Sequence, residues 1–209
     1  LNGVPVWIPK AVRSSQRVRH LIKFDHMYRN GYEQYAIMED GSLKHWGYGG
    51  WYGGGNGANS SNLGVPKNVA FPLGFAGVKE DPDECTFWAQ HAYDYKCIDE
   101  NGHLWTWGRY GHDSIYSMTG TNGDAWIPIN LMNLDVSSNA FNPTDGLQSV
   151  KAIAMGGGQQ SYMCGGVLGT DGRLYMTGYN GYGQLGTGDT SNYAYYTRLP
   201  YFHNLIEDA

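Results

Sequence analysis

The chain has 209 residues, 31 of them glycine and 30 aromatic, with 33 charged side chains and a net charge of −5. Intrinsic disorder is excluded, because a disordered chain is poor in aromatics and rich in charge and this one is the reverse. A collagen-like repeat fails because glycine lacks a three-residue period, and no apolar run approaches the roughly 18 residues that a membrane helix needs.

The charge is uneven. Residues 1–30 carry Lys10, Arg13, Arg17, Arg19, Lys23 and Arg29 against Asp25 alone, leaving eight basic and 18 acidic side chains on the rest. Residues 1–19 are expected to form a basic arm or a partial strand. Such an arm can touch phosphate or the acidic body itself. No base-stacking or groove-reading motif accompanies it, so nucleic acid is not the expected partner.

Further along, three segments align. Each is an extended run, a reversal at Asp40-Gly41, Asn101-Gly102 or Asp171-Gly172, and a second run closing at Gly47, Gly108 or Gly178. Asn, Asp and Gly tolerate positive φ cheaply, so each segment reads as a β-hairpin closed by a two-residue type I′ turn. The turn glycines recur at spacings of 61 and 70 residues.

Between hairpins an apolar residue precedes proline, at Ile8-Pro9, Val65-Pro66, Ile127-Pro128 and Leu199-Pro200. An edge strand or loop spares the N–H that proline lacks. A short strand is expected ahead of each hairpin, at residues 20–24, 77–80 and 149–154. Four short strands per unit with no helical period point to an all-β, propeller-like protein of about three four-stranded antiparallel blades. The expected blades are residues 20–76, 77–148 and 149–209, the last with a closing strand.

The segment from Thr170 to Gly188, Thr-Asp-Gly-Arg-Leu-Tyr-Met-Thr-Gly-Tyr-Asn-Gly-Tyr-Gly-Gln-Leu-Gly-Thr-Gly, closely resembles the repeat of the regulator of chromosome condensation family. The segments Glu39–Gly47 and Glu100–Gly108 are looser matches that keep the hairpin and its closing Trp-Gly. The resemblance implies a β-propeller, usually of seven blades in that family. Seven blades of about 60 residues need about 420. Three blades are therefore part of a longer propeller, an open arc, or one member of an assembly that covers the exposed sheet edges.

Candidate binding residues lie in the loops that follow each closing glycine: Tyr48, Trp51 and Tyr52 in the first, Tyr110 and His112 in the second, Tyr179, Asn180 and Tyr182 in the third. Flat rings with few rotors give large contact area at low entropy cost. The competing expectation for the glycine-rich first loop, Gly47–Gly57, is close blade-to-blade packing, with the rings in the core. Gly181-Tyr-Gly-Gln-Leu-Gly186 matches the dinucleotide fingerprint by letter, but loop-forming Thr187–Asn192 follows it where a helix is required. It is read as an inter-strand turn.

No cofactor or metal site is expected. The seven histidines form no H-x-H or H-E-x-x-H pair, and Asp81-Pro-Asp83-Glu84 lacks the spaced ligands of a calcium loop and reads as a solvated acidic turn. Cys85, Cys97 and Cys164 form no C-x-x-C pair. Cys97 and Cys164 fall near one repeat phase and suit buried apolar positions, while a Cys85–Cys97 bridge stays open. No catalytic signature is present, so a non-enzymatic binding module is expected.

Loops rich in aromatics, Asn and Gly with little charge suit sugars and hydroxyls. The leading expectation is thus recognition of a cell-surface receptor or glycan, of the phage tail fibre or adhesin type, in an extracellular or virion-associated setting. The alternatives are an architectural subunit that assembles through its sheet edges and, from the family resemblance, a small-GTPase regulator or chromatin-docking propeller.

Overall fold

The computed structural model describes residues 18–22, 33–48, 53–57, 62–81, 83–90, 94–108, 125–132, 147–156 and 164–200. Within them are twelve strands and no helix. β1 (Val18–Ile22), β2 (Glu33–Met38), β3 (Leu43–Gly47) and β4 (Leu63–Asn68) form sheet 1. β5 (Phe87–Gln90), β6 (Asp94–Ile98), β7 (Leu104–Gly108) and β8 (Ala125–Asn130) form sheet 2. β9 (Val150–Gly156), β10 (Cys164–Gly169), β11 (Leu174–Gly178) and β12 (Tyr193–Arg198) form sheet 3. Every pairing is antiparallel between chain neighbours, as expected of the all-β, propeller-like class.

The reversals at Asp40-Gly41, Asn101-Gly102 and Asp171-Gly172 join β2 to β3, β6 to β7 and β10 to β11. They are one residue longer than the two-residue type I′ turn that the dipeptides suggest. Gly41 N donates to Met38 O (2.9 Å) and Met38 N to Ser42 O (2.8 Å); Gly102 and Gly172 repeat the pattern with Asp99 and Gly169. Each turn is therefore centred on Glu39-Asp40, Glu100-Asn101 or Thr170-Asp171, and its glycine takes the left-handed place after it, at φ of 77°, 78° and 75°. Local side chains favour this longer form. Asp40 Oδ1 accepts from Ser42 N, Asp171 Oδ1 from Arg173 N, and buried Asp99 accepts from both Asn101 N and His103 N.

A second shared device sits at the other end of the hairpins. Gly47, Gly108 and Gly178 lie at register shifts of the pairing with β4, β8 and β12, at φ of 99°, 117° and 105°. A bulge that needs positive φ explains why glycine closes each hairpin.

Side-chain alternation gives each sheet an upstream face, toward the preceding sheet, and a downstream face. The downstream face of sheet 1 carries Tyr35, Ile37 and Leu43 and packs on Tyr95, Cys97, Trp105 and Trp107 of sheet 2. The downstream face of sheet 2, with Ile98 and Leu104, packs on Ile153, Val167, Tyr175 and Tyr196 of sheet 3. Burial of these rings supplies the cohesion. Trp107 stacks on Tyr95 at 5.7 Å and 13°, and Phe71 and Phe75 stack together and meet Trp105 edge-on.

Backbone bonds tie the sheets together as well. Val78 N donates to Gly41 O (2.9 Å) and Val150 N to Gly102 O (2.8 Å), so the segment entering each new sheet is fastened to the hairpin tip of the one before. The tips fit closely. A Cβ on Gly41 would lie 2.8 Å from Gly77 Cα, and one on Gly102 2.7 Å from Ser149 Cβ.

Three details differ from the sequence-based expectation. Residues 77–80 contribute only the Val78–Asp99 bridge, and β5 begins at Phe87. Register places Val78 with Val150 and Phe87 with Ile153, so the acidic turn at 81–84 is an insertion splitting the entry strand in two. Pro66 and Pro128 occupy equivalent places on the edge strands β4 and β8, but Tyr196 fills that place in sheet 3 and Pro200 follows β12. Cys97 aligns with Val167 rather than Cys164, and none of the three cysteines is in a disulfide, so no Cys85–Cys97 bridge forms.

Candidate binding face

The loops after Gly47, Gly108 and Gly178 leave equivalent ends of the three sheets. The third is described completely, and it is built around Asn180. That side chain is fully buried; its Nδ2 donates to Thr187 Oγ1 (3.0 Å), Asp189 O (2.9 Å) and Asp189 Oδ1 (3.2 Å), and its Oδ1 accepts from Leu185 N (2.8 Å). Asn192 Oδ1 receives Asn180 N, and Asp189 also accepts from Ser191 N and Tyr193 OH. The donation from Ser191 N, first among these bonds, holds the Asp189 carboxyl below the usual carboxylate range.

This knot gives the rings their positions. Tyr182 is 85% exposed at the loop tip, and half-buried Tyr179 meets it edge-on at 6.0 Å. Gly181 makes that arrangement possible, since a Cβ there would collide with Tyr179 Oη. Asn180, a candidate for contacting a ligand, faces inward with its amide fully engaged, and its part is to position the loop. The segment 181–186 is a run of turns that leads into no helix, so the dinucleotide resemblance ends with the letters.

The first loop is described at Tyr48, which is half-buried, and at 53–57. Here the glycines serve packing. Gly53 O accepts from Tyr35 OH and from Trp107 Nε1 (2.9 Å), and a Cβ on Gly55 would meet Val69 at 2.8 Å and Trp107 at 3.1 Å. Trp51, Tyr52, Tyr110 and His112 lie outside the described residues, as does the basic arm apart from Val18 and Arg19, which open β1.

Beneath the first loop lies a group of ionisable side chains that motif reading passed over. Glu33 Oε2 accepts from Tyr95 OH at 2.6 Å, and Glu33 is only 5% exposed. Burial pushes its carboxyl up to about 7, opposed by the Tyr95 bond. Burial likewise lowers buried His45 to about 4, keeping the imidazole neutral, and its ring lies 4.7 Å from that of Tyr35. The Tyr35 and Tyr95 hydroxyls are held well above their usual range, again chiefly by burial. The only available signal was a glutamate opening a hairpin strand that is apolar from Tyr35 to Met38.

Elsewhere, Asp81 pairs with Lys79 (3.9 Å) and accepts from Asp83 N, and Glu84 pairs with Lys151 at 2.7 Å. Among the described residues no group of three or more His, Cys, Asp or Glu side chains is placed to hold a metal ion, and no helix is long and apolar enough to cross a membrane.

The family model for the regulator of chromosome condensation (RCC1) repeat matches residues 171–205, the strand and knotted loop just described. This chain carries an RCC1-type β-propeller repeat. Three solved structures share the fold, at 15–20% identity. Human WBSCR16 (20% identity, TM-score 0.52) aligns over 80% of this chain and 37% of its own. Yeast RCC1 (Prp20) bound to Kap60 (15%, 0.55) aligns over 80% and 35%, and Prp20p from Saccharomyces cerevisiae, in a study of its binding to Gsp1p and histones (15%, 0.53), over 87% and 38%. The chain thus spans between a third and two-fifths of the length of these three structures, consistent with three sheets of an incomplete propeller. No curated protein matches it.

Proposed function

We propose that the chain is a protein-docking module of the RCC1 type that engages its partner through the loop after β11, with Tyr182 as the central contact and Tyr179 as its support. The observation that carries this reading is an 85% exposed ring on a loop braced by four hydrogen bonds to one buried asparagine. A large rigid ring loses little entropy on docking, and tyrosine is enriched among residues that dominate interface energies. The similar RCC1 structures support a protein partner, since yeast RCC1 is bound to Kap60 in one and the other concerns the binding of Prp20p to Gsp1p and histones. They lend nothing to a cell-surface glycan, a tail fibre or an adhesin. Of the sequence-based expectations, the small-GTPase regulator or chromatin-docking propeller is the one they favour.

The test is calorimetric titration of the chain with a Gsp1p-type small GTPase and, separately, with core histones. Binding to one of them, weakened at least tenfold by Tyr182→Ala at an unchanged melting temperature, is the expected result. No binding to either, or binding indifferent to Tyr182, removes the proposal.

A further inference from the structure

The segment joining sheet 1 to sheet 2 is apolar from end to end. Val69–Val78, Val-Ala-Phe-Pro-Leu-Gly-Phe-Ala-Gly-Val, holds no charged side chain and none that can hydrogen-bond, yet Ala70, Pro72, Leu73, Gly74 and Ala76 are exposed and Leu73 is fully so. Crossing between sheets does not itself call for such a surface, because the matching connector, residues 131–149, is rich in Asn, Asp and Ser. Apolar surface held in water without a structural need marks a contact site.

The turn that carries Leu73 is built to hold it still. Phe75 N donates to Pro72 O (3.4 Å), and Gly74 takes a φ of 97° in the third place, as a type II turn requires. Beneath it the Phe71 and Phe75 rings stack at 3.6 Å and 7°, and both stand edge-on to Trp105. The ends are fastened too: Val69 N donates to Leu43 O, Val78 N to Gly41 O, and Glu100 N to Gly77 O (3.0 Å). Leu73 therefore stands on a rigid support, and docking it costs little conformational entropy.

Charge around the turn selects the occupant. The hairpin tips against the Gly77 end carry exposed Glu39, Asp40 and Glu100. At the Val69 end Lys67 is exposed, while Lys44 and Lys79 are half-buried and bonded to Asn68 and Asp81. A second copy would bring a like acidic collar, and an anionic bilayer would be repelled by it; one leucine and one proline are in any case too little to hold a bilayer.

We propose that Leu73 is a docking knob for a protein that offers an apolar pocket, one leucine wide, within a basic rim. The knob leaves the hairpin-tip end of sheet 1, whereas Tyr182 lies on the loop at the other end of sheet 3, so the inference does not rest on the binding role of Tyr182.

The first probe is an amino-substituted β-cyclodextrin, a ring with an apolar cavity and an ammonium rim, compared with the neutral ring at low salt and followed by the amide shift of Gly74 in the full chain. A saturating shift is expected, with Kd lower for the cationic ring by about threefold or more. Leu73→Ser should abolish the shift at an unchanged melting temperature, and Glu39→Gln with Glu100→Gln should erase the preference while binding of the neutral ring persists. No shift at Gly74, or equal affinity for the two rings, overturns the proposal. The second probe is a photo-reactive leucine at position 73, which should cross-link in an extract of the source cells to a protein whose purified form binds the chain about tenfold more weakly after Leu73→Ser. Absence of such a protein overturns the proposal as well. So does Leu73-dependent binding to phosphatidylcholine–phosphatidylserine vesicles, which assigns the knob to lipid, or a dimer on sedimentation that Leu73→Ser dissociates, which assigns it to a second copy.

Discussion

The Tyr95 hydroxyl donates a 2.6 Å hydrogen bond to Glu33 Oε2 across the seam between sheets 1 and 2, and it thereby holds a carboxyl where water scarcely reaches. The glycine-rich loop is anchored in the same place, because Gly53 O takes bonds from Tyr35 and Trp107. The ionisation state of Glu33 is therefore written into the stability of the first interface.

The folded pKa of Glu33, about 7, lies above its ordinary 4.5, so the folded protein keeps a proton that the unfolded chain releases. Its contribution to stability is present below about pH 4.5 and is lost as pH rises toward 7, by about 3 kcal/mol at most. His45 has the opposite slope. Its folded pKa of about 4 lies below 6.5, so its contribution is lost as pH falls through that window. Glu33→Gln keeps an acceptor for Tyr95 and removes the first slope alone. In urea melts the variant should match the parent near pH 4 and exceed it at pH 8, and a constant difference at all pH values would refute the assignment.

Trp107 is fully buried, stacked on Tyr95 and bonded to Gly53 O. Trp107→Ala should cost about 3–5 kcal/mol. Trp107→Phe keeps most of the packing and loses one hydrogen bond, leaving Gly53 O less satisfied, at about 1–2 kcal/mol. Chemical denaturation followed by circular dichroism separates the two, and equal losses would show that packing is not the larger part.

Asn180→Ala deletes the four side-chain bonds of that residue and leaves buried Leu185 N without its acceptor. A loss of about 2 kcal/mol is expected. The Leu185 amide should exchange with deuterium much faster while amides of β2 and β3 keep their protection. Unchanged exchange at Leu185 would mean that the loop does not depend on this residue.

Gly102 and Gly183 share a left-handed φ, at 78° and 74°, and alanine at either costs roughly 1 kcal/mol in backbone strain. At Gly102 the new Cβ would also strike Ser149 Cβ, at 2.7 Å, whereas at Gly183 it would meet Asp189 O at an ordinary 3.7 Å. Gly102→Ala should thus lower the melting temperature distinctly more than Gly183→Ala. Equal effects would show that the tip of sheet 2 is not held tightly against the entry to sheet 3.

The hairpins were legible in the sequence because Asp40-Gly41, Asn101-Gly102 and Asp171-Gly172 each need a residue that accepts positive φ, and Gly47, Gly108 and Gly178 mark bulges for the same reason. Turn type was not legible. It depends on which neighbouring side chain bonds the turn amides, and in sheet 2 that is Asp99 rather than the dipeptide itself. The split entry strand of sheet 2 was hidden because residues 77–80 and 149–154 look alike locally, and only the pairing reveals the excursion between Val78 and Phe87. Asn180 and Tyr182 stand two residues apart in one aromatic, amide-rich loop, and composition cannot tell the buried brace from the exposed ring. Glu33 escaped notice because its character comes from Tyr95, 62 residues away.

The bonds from Val78 to Gly41 and from Val150 to Gly102 run in one sense along the chain, with the acceptor always made first. Each sheet thus takes its anchoring contact from the one before it in the chain, and needs only that immediate neighbour as a template.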